Sequence, residues 1–125
     1  MPHPERLASI VLGIREIIRR HRPSILALEQ VFVSRNAMSA LKLGQVRGAV
    51  MVVAVEEGLE VREFAPTEVK NAVTGYGRAE KTQVQLMVKT LLGLPQVPKP
   101  HDAADALALA LCALARASWT NRVGT

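Results

Sequence analysis

Cysteine occurs once in the 125 residues, at Cys112, so no internal disulfide can form and no Cys-based zinc site is available. Aspartate is nearly as scarce. Nine of the eleven acidic residues are Glu, and the two Asp, Asp102 and Asp105, stand three apart. No unbroken apolar run exceeds the ten residues Ala106–Ala115, about half a bilayer span. The N-terminus is polar and helix-like and lacks the apolar stretch of a secretory signal. These absences lead to the expectation of a cytoplasmic chain with no membrane segment. Internal repeats and low-complexity tracts are also missing, which excludes solenoid and linker-like readings.

An apolar fraction of 49% excludes wholesale disorder, and the length suits a single domain over residues 1–125. Sixteen Lys and Arg against eleven acids give a net charge of +5 and an isoelectric point near 10.0. A small basic domain is suited to nucleic acid or another acidic partner.

Apolar residues at helical spacing (Leu7, Ile10, Val11, Ile14, Ile17, Ile18) predict a first helix from Pro4, stopped by Pro23. Ile25–Leu28 is a short continuous apolar run leading into Glu29 and Val31, and it predicts a strand buried on both faces. A long helix is expected from about Asn36–Ser39 to Gly58, carrying Gly44 and Gly48 at a spacing that allows another helix to approach closely. Leu59–Ala65 predicts a second strand, Thr67–Val73 a short helix ending at Gly75, and Ala79–Leu92 a further helix. After the connector with Pro95, Pro98 and Pro100, Asp102–Ala117 reads as a helix buried almost all round, with a strand as the weaker alternative. The order α-β-α-β-α-α-α argues α/β with parallel strands. Two strands make a poor sheet, so the sequence resembles the later part of an α/β domain.

Glu29 falls directly after an apolar strand, where open α/β sheets place ligand sites, although a strand-end Glu facing water is the plainer reading. Asp102 and Asp105 share one face of the last helix; the plainer reading makes Asp102 its N-cap and Asp105 part of a capping box. The functional reading gathers the three carboxylates around divalent cations, whose hard character suits oxygen donors and whose charge assists phosphodiester hydrolysis. His3, His21 and His101 share no metal-binding spacing.

Leu28-Glu29-Gln30-Val31-Phe32, Asn36 and Ser39–Gly48 resemble the RuvC-type Holliday-junction resolvases. So do Val69-Lys70, Gly75-Tyr76-Gly77, Ala79-Glu80-Lys81, Leu91–Leu94 and Asp102–Ala108. The match runs in one order along nearly the whole chain. The resemblance implies an RNase H-like α/β fold, incomplete at its N-terminus. It also implies a homodimeric, Mg²⁺-dependent crossover junction endodeoxyribonuclease, with Mn²⁺ the expected substitute. Such an enzyme resolves four-way junction DNA by symmetric nicking in homologous recombination and DNA repair. Water attacks in line and leaves 5′-phosphate and 3′-hydroxyl ends. The implied partners are the junction, a second copy of the chain and the RuvA–RuvB branch-migration complex.

By the same resemblance Glu29, Asp102 and Asp105 are catalytic metal ligands. Phe32 stacks on a base, Lys70 and Lys81 contact phosphate beside the site, and Arg78 lies in a mobile glycine-rich loop near DNA. Gly44 and Gly48 match the helix through which the family dimerises. The family's fourth ligand, an Asp in an Asp-Pro-Gly turn, has no counterpart among these residues. By the resemblance, these residues supply three of the family's four ligands, and weak activity of residues 1–125 is the expectation. The alternative is a truncated, non-catalytic remnant that dimerises or binds junction DNA without cutting it.

Overall fold

The computed structural model describes the backbone of residues 2–30 and 36–122, with side chains as far as residue 117. Its elements are α1 (His3–His21), β1 (Ile25–Glu29), α2 (Ala37–Glu56), β2 (Glu60–Phe64), α3 (Pro66–Thr74), α4 (Lys81–Leu91) and α5 (His101–Arg122). The order is the expected one. β1 and β2 form a two-stranded sheet. Glu60 N–H donates to the Ser24 carbonyl (2.9 Å) and Gln30 N–H to the Phe64 carbonyl (2.8 Å). Residue numbers rise together along the pair, so the strands are parallel.

The chain falls into two compact units: Met1–Leu26 with Val31–Arg62, and Ala27–Gln30 with Glu63–Thr125. In the first, α1 packs on α2. Ile18, Val53, Ala54 and Leu59 are buried together, with Val11, Ile14, Leu26 and Val61 around them. Pro2 opens α1, and its last turn closes through Arg22, which adopts the left-handed conformation (φ 49°) just before Pro23. Asn36 caps α2: its side-chain oxygen accepts from the N–H groups of Met38 (3.0 Å) and Ser39 (3.1 Å). Gly58, past the end of α2, has φ +83°, as a glycine at that place should. The α1–α2 pair is tied by charge as well. Arg15 reaches Glu57 (2.9 Å) and Glu56 (3.1 Å), and Arg19 reaches Glu57 (2.9 Å).

In the second unit Phe64, Val69, Val73, Val88, Ala108, Cys112 and Ala113 form the core. α5 contributes Ala104, Ala108 and Cys112 at four-residue intervals, all at most 2% exposed. Small side chains on this stripe let α5 lie close against α3. Pro66 opens α3, where the Glu68 carboxylate accepts from Ala65 N–H (3.0 Å); Gly75 (φ +80°) ends it.

Three expectations need correction. β1 is half-buried rather than buried on both faces; among the described residues β2 is its one paired neighbour, which leaves its other edge open. α5 is a helix, not a strand, but only one face is buried; Ala106, Ala110 and Leu114 are exposed. Ile10 and Ile17, expected on the apolar face of α1, are exposed, and Val11, Ile14 and Ile18 make the contact with α2. α2 is also long and apolar enough to cross a membrane by length and composition, with mean hydropathy 1.4. Counting unbroken apolar runs missed it because Lys42, Gln45 and Arg47 interrupt the sequence.

Candidate active site

The site is built in the second unit. β1 delivers Glu29 at its last position, and the side chain lies exposed at the strand's C-terminal end. α3 delivers Lys70 next to the buried Val69, so core packing fixes where the lysine emerges. Lys81 is the first residue of α4, whose start is fixed by Glu80 N–H donating to the Gln83 side chain (2.8 Å). Asp105 stands on α5 directly after the buried Ala104.

Glu29, Lys70, Lys81 and Asp105 line one cleft of about 360 Å³, walled by Pro66, Val69, Val84 and Ala108. Lys81 Nζ lies 3.4 Å from Asp105 Oδ2, both side chains being about half exposed. Two carboxylates and two ammonium groups thus share an open space with an apolar floor. Such a site can hold a phosphodiester through its lysines and a cation through its carboxylates.

Asp102 lies one turn back on α5 and does not line the cleft. It is not the N-cap either. α5 begins at His101, so Asp102 is inside the first turn, where a carboxylate is favoured by the helix dipole. Arg78 is exposed in the α3–α4 connection and is not a wall of the cleft. Phe32 lies outside the described residues.

The expected mobile loop at Gly75–Arg78 is held by hydrogen bonds. Thr74 Oγ1 lies 2.7 Å from the Lys70 carbonyl oxygen and accepts from Tyr76 N–H (3.1 Å), and Ala79 N–H donates to the Tyr76 carbonyl (3.1 Å). Sequence reasoning missed the cleft's apolar walls. Pro66, Val69, Val84 and Ala108 carry no signal of a site in the sequence, and only the packing of α3, α4 and α5 shows that they face the cleft.

The donor chemistry fits a hard divalent cation, since Mg²⁺ is commonly held by one or two carboxylates together with water and substrate phosphates. Among the described residues, no group of three or more His, Cys, Asp or Glu side chains gathers tightly enough to hold a metal by itself. In the first unit a second cleft of about 450 Å³ is lined by Ile18, Arg19, Arg22, Pro23, Glu57 and Leu59. Its one carboxylate is already engaged by two arginines, so it lacks the paired oxygen donors of the first.

An α/β unit with carboxylates at a strand end and on the final helix, flanked by lysines, is the arrangement of an RNase H-like nuclease. The family model described as crossover junction endodeoxyribonuclease RuvC matches residues 1–113, and the chain belongs to that family. It is 48% identical over 123 residues to the crossover junction endodeoxyribonuclease RuvC of Pelotomaculum thermopropionicum, covering 98% of this chain and 75% of that protein. The protein of the same name from Moorella thermoacetica is 50% identical over 117 residues, covering 94% and 70%. The solved structure of Thermus thermophilus RuvC superposes with a TM-score of 0.86 at 40% identity, over all of this chain and 73% of that one. The T. thermophilus RuvC structure in complex with Holliday junction substrate gives 0.84 at 38%, over 100% and 74%.

Proposed function

We propose that this chain is a metal-dependent endonuclease that resolves Holliday junctions by nicking two opposing strands, in recombination and DNA repair. The observation that carries the reading is the meeting of Glu29, Asp105, Lys70 and Lys81 in one cleft, within a chain that matches the junction-endonuclease family over residues 1–113. Glu29 and Asp105 would hold Mg²⁺ or Mn²⁺, with Asp102 a third oxygen donor from the turn before. When bound, the cation supplies neutralisation of the charge that builds on the phosphodiester oxygens. The chain's own part is to bind and orient. Lys70 and Lys81 grip the scissile phosphate, Asp105 holds Lys81 in place before DNA arrives, and the apolar walls limit where the phosphate can settle.

A four-way junction has approximate two-fold symmetry, so a homodimer would present one site to each of two opposing strands. Phe32 would stack on a base near the crossover and Arg78 would add a phosphate contact. RuvA–RuvB is the proposed partner complex, and the cytoplasm the proposed location.

A second reading has a specific observation behind it. The cleft holds two carboxylates, Glu29 and Asp105, and Lys81 already pairs with Asp105, which suits a protein that binds junctions without cutting them. Incubation of the protein with a synthetic four-way junction separates the two. The first reading expects nicking that requires Mg²⁺ or Mn²⁺ and is lost in Glu29→Gln and Asp105→Asn while junction binding persists. Binding with no nicking in either metal would establish the second.

A further inference from the structure

Among the residues whose side chains are described, the exposed aromatic is Tyr76. Phe64 is buried at 5% exposure, whereas Tyr76 is 57% exposed. Exposure alone would mean little, but the ring is attached to a backbone that is held in place. Thr74 Oγ1 accepts from Tyr76 N–H and lies within hydrogen-bond distance of the Lys70 carbonyl, while the Tyr76 carbonyl accepts from Ala79 N–H. The backbone that carries the ring is therefore tied to the end of α3, the helix that also carries Lys70.

Tyr76 forms one side of a groove of about 330 Å³ whose other walls are Thr74, Ala79, Gln83, Leu86 and Met87. The lining combines an aromatic ring, a thioether, an exposed Leu and a side-chain amide. Gln83 spends its carbonyl oxygen on Glu80 N–H, which leaves its amide NH₂ to donate. Flat apolar walls with a hydrogen-bond donor at the rim match a nucleobase, which has two π faces and a polar edge. The sequence segment that carries the groove is cationic, which suits a polyanion. Between Lys70 and Leu92 there are four cationic side chains, Lys70, Arg78, Lys81 and Lys89, against the single carboxylate of Glu80.

We propose that this groove is a binding site for one unpaired nucleobase of the DNA, with Tyr76 as its stacking platform and Gln83 as its edge contact. The groove shares no lining residue with the Glu29–Asp105 cleft. Gln83 and Leu86 lie on a different face of α4 from Lys81, and Met87 packs beside Val84 on the shared core, so a strand gripped by the lysines would be read a short distance from the scissile phosphate. The inference rests on the proposal that the protein acts on DNA. It adds that an unstacked base is held in the second unit.

The test compares a short fluorescent single strand with the same strand carrying abasic sites, using the full chain and fluorescence anisotropy at one salt concentration. Phosphate contacts are common to both strands, so the affinity ratio isolates the base. The wild-type protein should favour the base-bearing strand. Tyr76→Ala should lower affinity for that strand about 5- to 150-fold, the size of one base–aromatic stack. It should leave the abasic strand nearly unaffected, and Tyr76→Phe should restore the preference. A Tyr76→Ala protein that keeps the wild-type base preference would overturn the site, as would absence of single-strand binding. Junction nicking assayed on the same preparations keeps the two claims apart. Nicking without Tyr76-dependent base preference removes the groove and leaves the nuclease. Base preference that depends on Tyr76, without nicking in either metal, leaves the groove and removes the nuclease.

Discussion

At the scale of single residues, charge pairing divides between a structural and a functional use. Glu57 sits between Arg15 and Arg19, and hydrogen bonds from Arg19 first and Arg15 second hold its carboxyl below the ordinary value of 4.5. Its folded pKa is thus lower than its unfolded one. The stability it adds is complete above the unfolded value and is lost as pH falls through the folded one. Glu60, lowered mainly by its hydrogen bond from Arg62, acts in the same direction. Thermal unfolding between about pH 6 and pH 3 should therefore show a falling midpoint, with Glu57→Gln less stable near neutrality and shallower in its pH dependence. An unchanged slope in Glu57→Gln would show that the α1–α2 ion pairs do not persist in solution. The Lys81–Asp105 pair is more open and longer, which fits the proposed exchange of each partner for a phosphate and a cation.

At the scale of elements, the most demanding feature is the stripe Ala104, Ala108, Cys112 on α5, which lets α5 lie against α3 while Asp105 faces the cleft. Ala108 serves both the core and the cleft wall. Ala108→Leu should cost about 1–3 kcal/mol through overpacking and should narrow the cleft, whereas Ala110→Leu on the exposed face should change stability little. Chemical denaturation of the two variants measures the difference, and equal stabilities would mean that the helices have room to spare.

Most of these elements were legible in the sequence because their punctuation is local. Pro66, Gly58, Gly75 and the Asn36 cap each act within one turn of the chain. Burial was less legible. The run Ile25–Leu28 carries no sign of how many neighbours its strand will have, and the Ala-Leu alternation of α5 gives no direction to its buried face. That face depends on which residues α3 presents. In the candidate site Lys70 and Lys81 carry no signal of their own and enter through the family resemblance, whereas Glu29 and Asp105 are legible as carboxylates at a strand end and on a helix face. Asp102 was grouped with them on helical spacing, but spacing could not tell that the cleft opens beside Asp105 and not a turn earlier.

At the scale of the whole molecule, the surface of α2 is the outstanding feature. Met38, Leu41, Leu43, Val52 and Val55 are each at least 41% exposed, and a side chain added at Gly44 or Gly48 would meet nothing within 4 Å. Within the described residues nothing uses the close approach that those two glycines permit. An apolar surface of this kind favours association between copies. The protein should elute as a dimer or larger species in size-exclusion chromatography at micromolar concentration, and Leu41→Glu with Val52→Glu should shift it toward monomer. A wild-type monomer at the same concentration would remove the proposed dimer.

The central claim is that the cleft between Glu29, Lys70, Lys81 and Asp105 cuts junction DNA, and mapping the cut strands of a synthetic four-way junction tests it most directly. In Mg²⁺ the account predicts paired nicks at symmetry-related positions in two opposing strands, sealable by ligase and absent in Asp105→Asn. Intact strands in Mg²⁺ and Mn²⁺ under conditions where the junction is bound, or nicks that persist in Asp105→Asn, would contradict it.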